Sequence, residues 1–428
     1  MNREPVSGDD GAADVAPEPA TRPMRVLHLD HTSAAGGAEY ALLRMLQAGP
    51  RWAPFLLMAP PEDRHERGIY DAIPARVPRR IGGVRQPAGA SSGGRLTALV
   101  VGVRVLVQAA AVRSSRAFLS ADLVDANTAR AAAYGAFAVR GTRRAFVVHL
   151  RDLVDPGALG RSGHALMTRV VLPRADGVVA NSRATLESAR PFLRAGVPAE
   201  VIPSASGLLV RGARGGADGA TAATAAPGVG GPIRAVGLLA RIDPWKGQEL
   251  LLEAFARVFR GRDTRLQLAG GAPFGHEAFA ETLRRRAAEL GVGAQLDLPG
   301  HVADVGALLS GWDVAVQAST RPEPLGQNVL QYLATGRAVV VADEGGPAEW
   351  VEDGVNGLVV PPRDVDALAD ALARLDADPD LRARLASAAA ATPGLLDDAA
   401  VTRAHEAFYA RVLASVAVRR AAASRRSR

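Results

Sequence analysis

The stretch Ser319–Trp350, STRPEPLGQNVLQYLATGRAVVVADEGGPAEW, changes its hydrophobic period twice. After the turn Pro322-Glu323-Pro324, Gly326 opens a segment in which Val329, Leu330 and Leu333 recur at helical spacing. The run RAVVVAD, Arg337–Asp343, is β-branched and short enough for one buried strand. A Gly345-Gly346 loop follows. Helix, strand and glycine loop in succession mark one unit of an alternating α/β chain. On the helix, Gln327, Asn328 and Gln331 are three and four residues apart and share the face opposite the apolar one. Glu323 is the single carboxylate at the mouth of this helix. Eight residues on, where a second acid would be a natural partner, stands Gln331.

The alternation extends in both directions. Strand-like IRAVGLLA, TRLQLAGG, QLDLPG, DVAVQAS and GLVVPP are separated by helical GQELLLEAFARVF, EAFAETLRRRAAELG and VGALLSG, and a helix starts at Asp364. An earlier set runs through MRVLHLDH, PFLLMAP, ADLVDAN, RAFVVHL, DGVVANS and AEVIPSAS, with Ser182 capping a helix that ends at Gly196. Between the sets, residues 207–231 collapse to Gly, Ala, Thr and Arg, as in a linker or long loop. The expected fold is α/β: two Rossmann-like, doubly wound domains, 23–206 and 232–395, facing across a cleft lined by the carboxyl ends of their strands. A last helix, 396–418, is expected to pack back on the N-terminal domain. Residues 1–22 read as a disordered tail and 419–428 as a solvated basic tail.

Composition narrows the function. Without cysteine there is no thiol nucleophile, disulfide or zinc–cysteine site. The net charge of +7 suits anionic partners, but aromatics are few and no RNA- or DNA-binding motif occurs, so nucleic acid is not expected. No apolar run reaches membrane-spanning length. The nearest, Leu96–Val112, is interrupted by Arg104 and flanked by Arg95, Arg113 and Arg116; it suits either a helix packed on a sheet or one lying on a membrane surface. The acidic, Pro/Ala-rich N-terminus lacks the apolar core of a signal peptide, so a cytoplasmic location is expected, at most on the inner face of the membrane.

Four constellations could carry chemistry. In VGLLARIDPWKGQELLLEAF, Val236–Phe255, Arg241 and Lys246 lie in the loop after a strand and Gly247 opens a helix, an arrangement suited to a diphosphate. Lys246 is the only lysine in a chain whose other 50 of 51 Lys+Arg residues are arginine, which suggests a site that wants a compact charge. Glu323 reads either as an acid for sugar hydroxyls or as a helix-entry acid stabilised by the dipole. Gly36 and Gly37 permit close backbone approach to a ligand but lack a full dinucleotide fingerprint. His149 ends an apolar strand, and so stands at the cleft edge or serves a structural role. No P-loop, nucleophile elbow or metal-binding histidine spacing is present, and Asp364 reads as a helix cap.

Together these segments resemble the family-4 glycosyltransferases of the GT-B type. EPLGQNVLQYLATGRAVVVADEGGPAEWVEDGVNGLVVPPRDVDALADAL is similar to that family's donor-site segment, GLLARIDPWKGQELLLEAF to its diphosphate segment, and GGAE to its N-terminal glycine loop. The resemblance covers Met24 to Leu375 and is more specific in the second half. It implies metal-independent, retaining transfer of a sugar from a nucleotide-sugar donor to an acceptor that is a glycan, a lipid-linked molecule or a small molecule, with no cofactor. Arg241 and Lys246 would neutralise the diphosphate, and Glu323 would hold sugar hydroxyls. Amides of Gly326, Gln327 and Asn328 would bind sugar and phosphate, Gly36 and Gly37 would approach the phosphate, His149 would touch the sugar, and His301 and Val302 would flank the nucleobase. Two departures stand out: Gln331 replaces an acid that usually binds the ribose diol, and VIPSASG replaces the usual Pro-Asn-Gly. A non-catalytic nucleotide-sugar-binding homologue and a sugar-nucleotide epimerase are the alternatives.

Overall fold

The structure, a computed structural model, describes residues 22–34, 36–61, 68–86, 95–208, 231–272 and 276–426. The tail expected over 1–22 and the linker expected over 207–231 lie outside the described residues, apart from Arg22, Gly207, Leu208 and Gly231.

The first sheet holds β1 (Arg25–Asp30), β2 (Ala53–Met58), β3 (Arg79–Ile81), β4 (Leu123–Ala126), β5 (Ala145–Leu150), β6 (Gly177–Ala180) and β7 (Ala199–Val201). The second holds β8 (Ala235–Leu239), β9 (Arg265–Ala269), β10 (Leu296–Gly300), β11 (Val314–Gln317), β12 (Ala338–Ala342) and β13 (Leu358–Val360). Helices α1 (Gly37–Gln47), α2 (Arg95–Ser114), α3 (Arg116–Ser120), α4 (Ala129–Ala138), α5 (Pro156–Leu166) and α6 (Arg183–Ala189) belong to the first set. Helices α7 (Gln248–Phe259), α8 (Glu277–Glu289), α9 (Val305–Ser310), α10 (Gln327–Ala334), α11 (Val365–Ala377) and α12 (Pro379–Ala390) belong to the second, and α13 (Asp398–Arg426) ends the described chain.

Both sheets are parallel, in the orders β3-β2-β1-β4-β5-β6-β7 and β10-β9-β8-β11-β12-β13. The order reverses between β1 and β4 and again between β8 and β11, so each sheet has a switch point at its carboxyl edge. The central strands are buried along their whole length because helices cover both faces, which is why AFVVHL and AVVVA read as unbroken apolar runs. This is the two-domain, doubly wound arrangement expected from the alternation.

The last helix returns to the first domain. Phe408, Tyr409 and Val412 of α13 share a core with Leu42, Trp52 and Val147. Its approach requires Gly177, where an added Cβ would lie 2.4 Å from Val412 Cγ2. The helix also runs further than expected, and two arginines of the supposed basic tail have partners. Arg419 pairs with Asp176 at 2.7 Å and Arg420 donates to the Arg143 carbonyl at 2.6 Å. The edge strand β3 was not expected either; its three residues are all exposed, so no apolar period announces it.

Candidate functional site

On the second domain the site is built at the switch point between β8 and β11. After β8, the chain turns through Arg241 and Lys246 to Gly247, which caps α7 with φ 78°. A Cβ on Gly247 would sit 1.8 Å from the Ala318 carbonyl oxygen, so only glycine lets this loop close against the end of β11. That closure brings Lys246 to Glu323: Nζ donates to Oε1. Glu323 Oε2 accepts from Gln317 Nε2 at 3.0 Å and Ser319 Oγ at 2.8 Å. Burial alone would raise this carboxyl, but Lys246 and the two neutral donors hold it below the usual carboxylate range. Glu323 is therefore an anion, fixed in place, and more than a helix-entry acid. Gly345 and Gly346 wrap its backbone, with Gly346 N donating to the Glu323 carbonyl at 2.8 Å.

Lys246 Nζ lies 4.1 Å from the centroid of Trp245, while the half-exposed Arg241 bonds Asp243 at 3.2 Å. Gly326, with φ 74°, caps α10 and packs so tightly on Pro347 that a Cβ would reach its Cγ at 2.7 Å. The helix leaves its first amides without intrahelical acceptors, pointing from the same carboxyl edge as Lys246. His301 is exposed just beyond β10, and Val302 is partly buried beside it.

The polar face of α10 differs from expectation. Gln327 donates to the Ala205 carbonyl at 2.7 Å and Gln331 to the Ser206 carbonyl at 3.2 Å, so both amides bind the segment leading out of the first domain. Asn328 does not share their face: its Nδ2 donates to Tyr332 Oη at 3.3 Å and its Oδ1 accepts from Val329 N at 3.0 Å.

On the first domain the carboxyl edge of β1, β4 and β5 carries a second polar cluster. Asp30 Oδ2 accepts from Tyr70 Oη at 2.5 Å and Asn127 Nδ2 at 2.8 Å, and Oδ1 accepts from His31 N at 2.7 Å. Glu39, three residues after the helix cap Gly36, folds back over it; a Cβ on Gly36 would meet Glu39 Oε2 at 2.3 Å. The open side of Gly36 is thus taken by this chain's own carboxyl group, whereas Gly37 has nothing within 4 Å of its Cβ direction. Burial, reinforced by Asp30, pushes the Glu39 carboxyl up to about 8, so it is largely protonated at neutral pH. Asp30, His31 and Glu39 bring one ligand atom each within 4.8 Å of one another.

His149 is not at the cleft edge. It precedes the last residue of β5, and its ring points into the interior, 2% exposed. Its Nε2 lies 2.9 Å from Asp125 Oδ1, close enough for an ion pair although the two are poorly aligned for a hydrogen bond. His405 of α13 stacks on it with centroids 5.1 Å apart. Burial lowers the His149 pKa despite Asp125, and burial next to His149 lowers that of His405 to about 3. The residue past the strand end is Arg151, whose Nη1 donates to Ser204 Oγ at 3.1 Å and Nη2 to Asn127 Oδ1 at 3.0 Å. Asp152 follows, exposed and within the field of Arg241 from the other domain.

The domains are also clasped directly. Glu349, in the GGPAEW loop, accepts from the backbone amides of Arg183 at 2.8 Å and Ala184 at 2.6 Å, at the start of α6. Thr185 Oγ1 donates to the Pro324 carbonyl at 3.2 Å. Sequence reading passed over Glu39, Arg151 and Glu349. Only Glu39 has a local signal, its capping-box spacing from Gly36.

Residues 234–392 match the family described as glycosyl transferases group 1. The chain is 37% identical over 158 residues to a GDP-mannose-dependent alpha-(1-6)-phosphatidylinositol monomannoside mannosyltransferase of Mycolicibacterium smegmatis, covering 33% of this chain and 38% of that one. It is 33% identical over 158 residues to an alpha-D-kanosaminyltransferase of Streptomyces kanamyceticus, covering 36% of this chain and 39% of that one. The match thus spans under two fifths of these curated relatives' length. Across nearly the whole chain, the structure resembles Anabaena HepE in complex with UDP, with TM-score 0.69, 25% identity, and 91% of this chain and 100% of that one covered. Sucrose-phosphate synthase of Thermosynechococcus elongatus shares the fold with TM-score 0.72 at 19% identity, over 92% of this chain and 100% of that one.

Proposed function

We propose, from the premise that the chain belongs to the glycosyl transferases group 1 family through residues 234–392, that it transfers a sugar from a nucleotide-sugar donor to an acceptor hydroxyl. The observation that carries this is the convergence of Lys246, Glu323 and the start of α10 at one carboxyl edge. In this reading the acceptor oxygen bonds to the anomeric carbon as that carbon's bond to the diphosphate breaks, and the hydroxyl proton passes to the departing diphosphate oxygen, with retention of configuration. Arg241 and Lys246 stabilise the departing nucleoside diphosphate without a metal ion, a role worth on the order of 3 kcal/mol for one such group. Glu323 stays ionised and binds sugar hydroxyls; its hydrogen bonds to Gln317 and Ser319 keep it aimed.

From the first domain, Gly37 is the glycine with room for ligand approach. Arg151 and Asp152, beyond the end of β5, occupy the position first expected of His149. The HepE complex supports a nucleoside diphosphate as ligand, and the Mycolicibacterium relative's name supports guanine as readily as uracil. The test is a thermal-shift screen with UDP, GDP, ADP and dTDP and their sugar conjugates in EDTA. A ligand at 100 times its Kd should stabilise by about 2.7 kcal/mol. A shift with one base, followed by sugar release to an acceptor, is the expected result. A shift without transfer would favour the non-catalytic binder, and no shift with any nucleotide would remove the donor-site assignment.

A further inference from the structure

Helix α2 is apolar around most of its girth, yet the described residues cover only one side of it. Val105, Ala109 and Val112 are buried in the core of the first domain. On the other side Leu99, Val100, Val103, Leu106 and Val107 form a stripe at helical spacing, between 44 and 64% exposed. A helix that is hydrophobic all round belongs inside a protein or against something apolar. The stripe is contiguous, unlike the scattered exposed leucines of an ordinary surface.

Its borders are cationic. At 100° per residue, Arg104 lies at one margin of the stripe, a placement from which a long side chain reaches a polar interface while its stem covers apolar surface. Arg113 lies at the other margin, with its guanidinium donating to the Ala138 and Arg140 carbonyls. The surroundings carry the same sign. Between Asp71, which pairs with Arg79, and Asp122, residues 72–121 contain eight arginines and no acidic residue. The edge strand β3 is tied to this helix: Gln108 accepts from Val84 N at 2.7 Å and donates to the Gly82 carbonyl at 3.0 Å. A second copy of the chain would bring arginine against arginine; an anionic surface with an apolar interior meets both features.

We propose that α2 lies flat on the surface of a bilayer containing anionic lipid, with Leu99, Val103 and Leu106 inserted at the headgroup boundary and Arg104 on a lipid phosphate. Among the described residues no helix is long and apolar enough to cross a membrane, so this is attachment in the plane of the interface. The assignment does not rest on sugar transfer; it is tested without donor or acceptor.

The experiment is flotation of the full chain with phosphatidylcholine vesicles made with or without phosphatidylglycerol. The protein should float with the anionic vesicles and remain behind with phosphatidylcholine alone. The double variant Val103→Glu/Leu106→Glu, altered only at exposed positions, should lose partitioning at least ~10-fold, and Arg104→Ser about fivefold. Hydrogen exchange on the unmodified chain gives a reading free of folding defects: amides of residues 99–107 should be protected when anionic vesicles are added. Absence of flotation and of protection overturns the proposal. So does light scattering that shows a dimer which the double variant dissociates, since the stripe would then be a subunit interface.

Discussion

Gln331 donates its side-chain amide to the carbonyl of Ser206, 3.2 Å away in a buried contact. Two features that looked unrelated in the sequence, a glutamine where an acid is usual and the segment VIPSASG, are therefore the two ends of one hydrogen bond. A carboxylate cannot donate at neutral pH. With Gln327 bound to Ala205 one residue earlier, α10 is fastened to the exit of the first domain by two amides on one face.

Gln331→Glu should accordingly set an acceptor against a buried carbonyl and destabilise the chain by about 1–3 kcal/mol. Chemical denaturation would show the loss, and calorimetric titration should show no tighter nucleotide binding. A tighter nucleotide with unchanged stability would return this position to the donor's ribose.

Lys246 and Glu323 are a charged pair in a largely buried place, so their substitutions should be coupled. Glu323→Gln keeps the shape and should lower transfer about 10²–10³-fold while nucleoside diphosphate affinity changes little. Lys246→Ala should weaken nucleoside diphosphate binding by roughly tenfold or more, about the 1.4 kcal/mol or greater expected for one lost charge-assisted contact. Because the Glu323 pKa is depressed, its stabilising effect is present above the ordinary carboxylate range and is lost as pH falls through the lower, folded-state value. Lys246→Ala should raise the pH at which that loss occurs, which unfolding curves taken from about neutral pH into the acid range below ordinary carboxylates would resolve.

Glu39 has the opposite sign. Its folded-state pKa is raised to about 8, so its contribution is complete below the unfolded value near 4.5 and is lost as pH climbs through 8. Unfolding temperature should therefore decline from mildly acidic to mildly alkaline pH. Glu39→Gln, which keeps the neutral form's shape, should flatten that decline. An unchanged slope would mean that Glu39 is already ionised in the folded protein.

The alternating strands and helices were legible because burial on both faces forces apolar runs, and because helical period survives in α7, α10 and α11. Lys246 and Glu323 were legible from residue type and from their places just beyond strands. His149 lies inside β5, where the neighbouring strands and α13 bury it, and nearness to the strand's end does not bring it to the cleft edge. Arg151, two residues on and therefore on the same side of the pleat, lies beyond the strand's end with Nη2 3.2 Å from His149 Nδ1. The exposed face of α2 is invisible to a sequence pattern, because its buried and exposed sides carry the same residue types. Arg419 and Arg420 read as a solvated tail because their partners lie more than 200 residues away.

The clasp at Glu349 is likewise non-local, and it makes the last prediction. Helix α6 has seven residues, and three of its first-turn amides are satisfied from outside the helix ladder. Ser182 Oγ accepts from Thr185 N at 3.0 Å, while Glu349 of the other domain takes Arg183 N and Ala184 N. A carboxylate at a helix start gains from both hydrogen bonds and dipole. Separating the domains would expose these amides to water, so Glu349 should bias the chain toward the closed arrangement by about 2 kcal/mol, roughly 30-fold in population. Glu349→Ala should enlarge the radius of gyration seen by X-ray scattering and speed hydrogen exchange at Arg183 and Ala184. Glu349→Gln, with one acceptor oxygen left, should fall between. Arg183→Ala should change neither quantity much, since its side chain is 76% exposed and 3.8 Å from the carboxylate. Identical scattering and exchange for Glu349→Ala and the unmodified chain would assign the closed arrangement to α13 and the α10 amides alone.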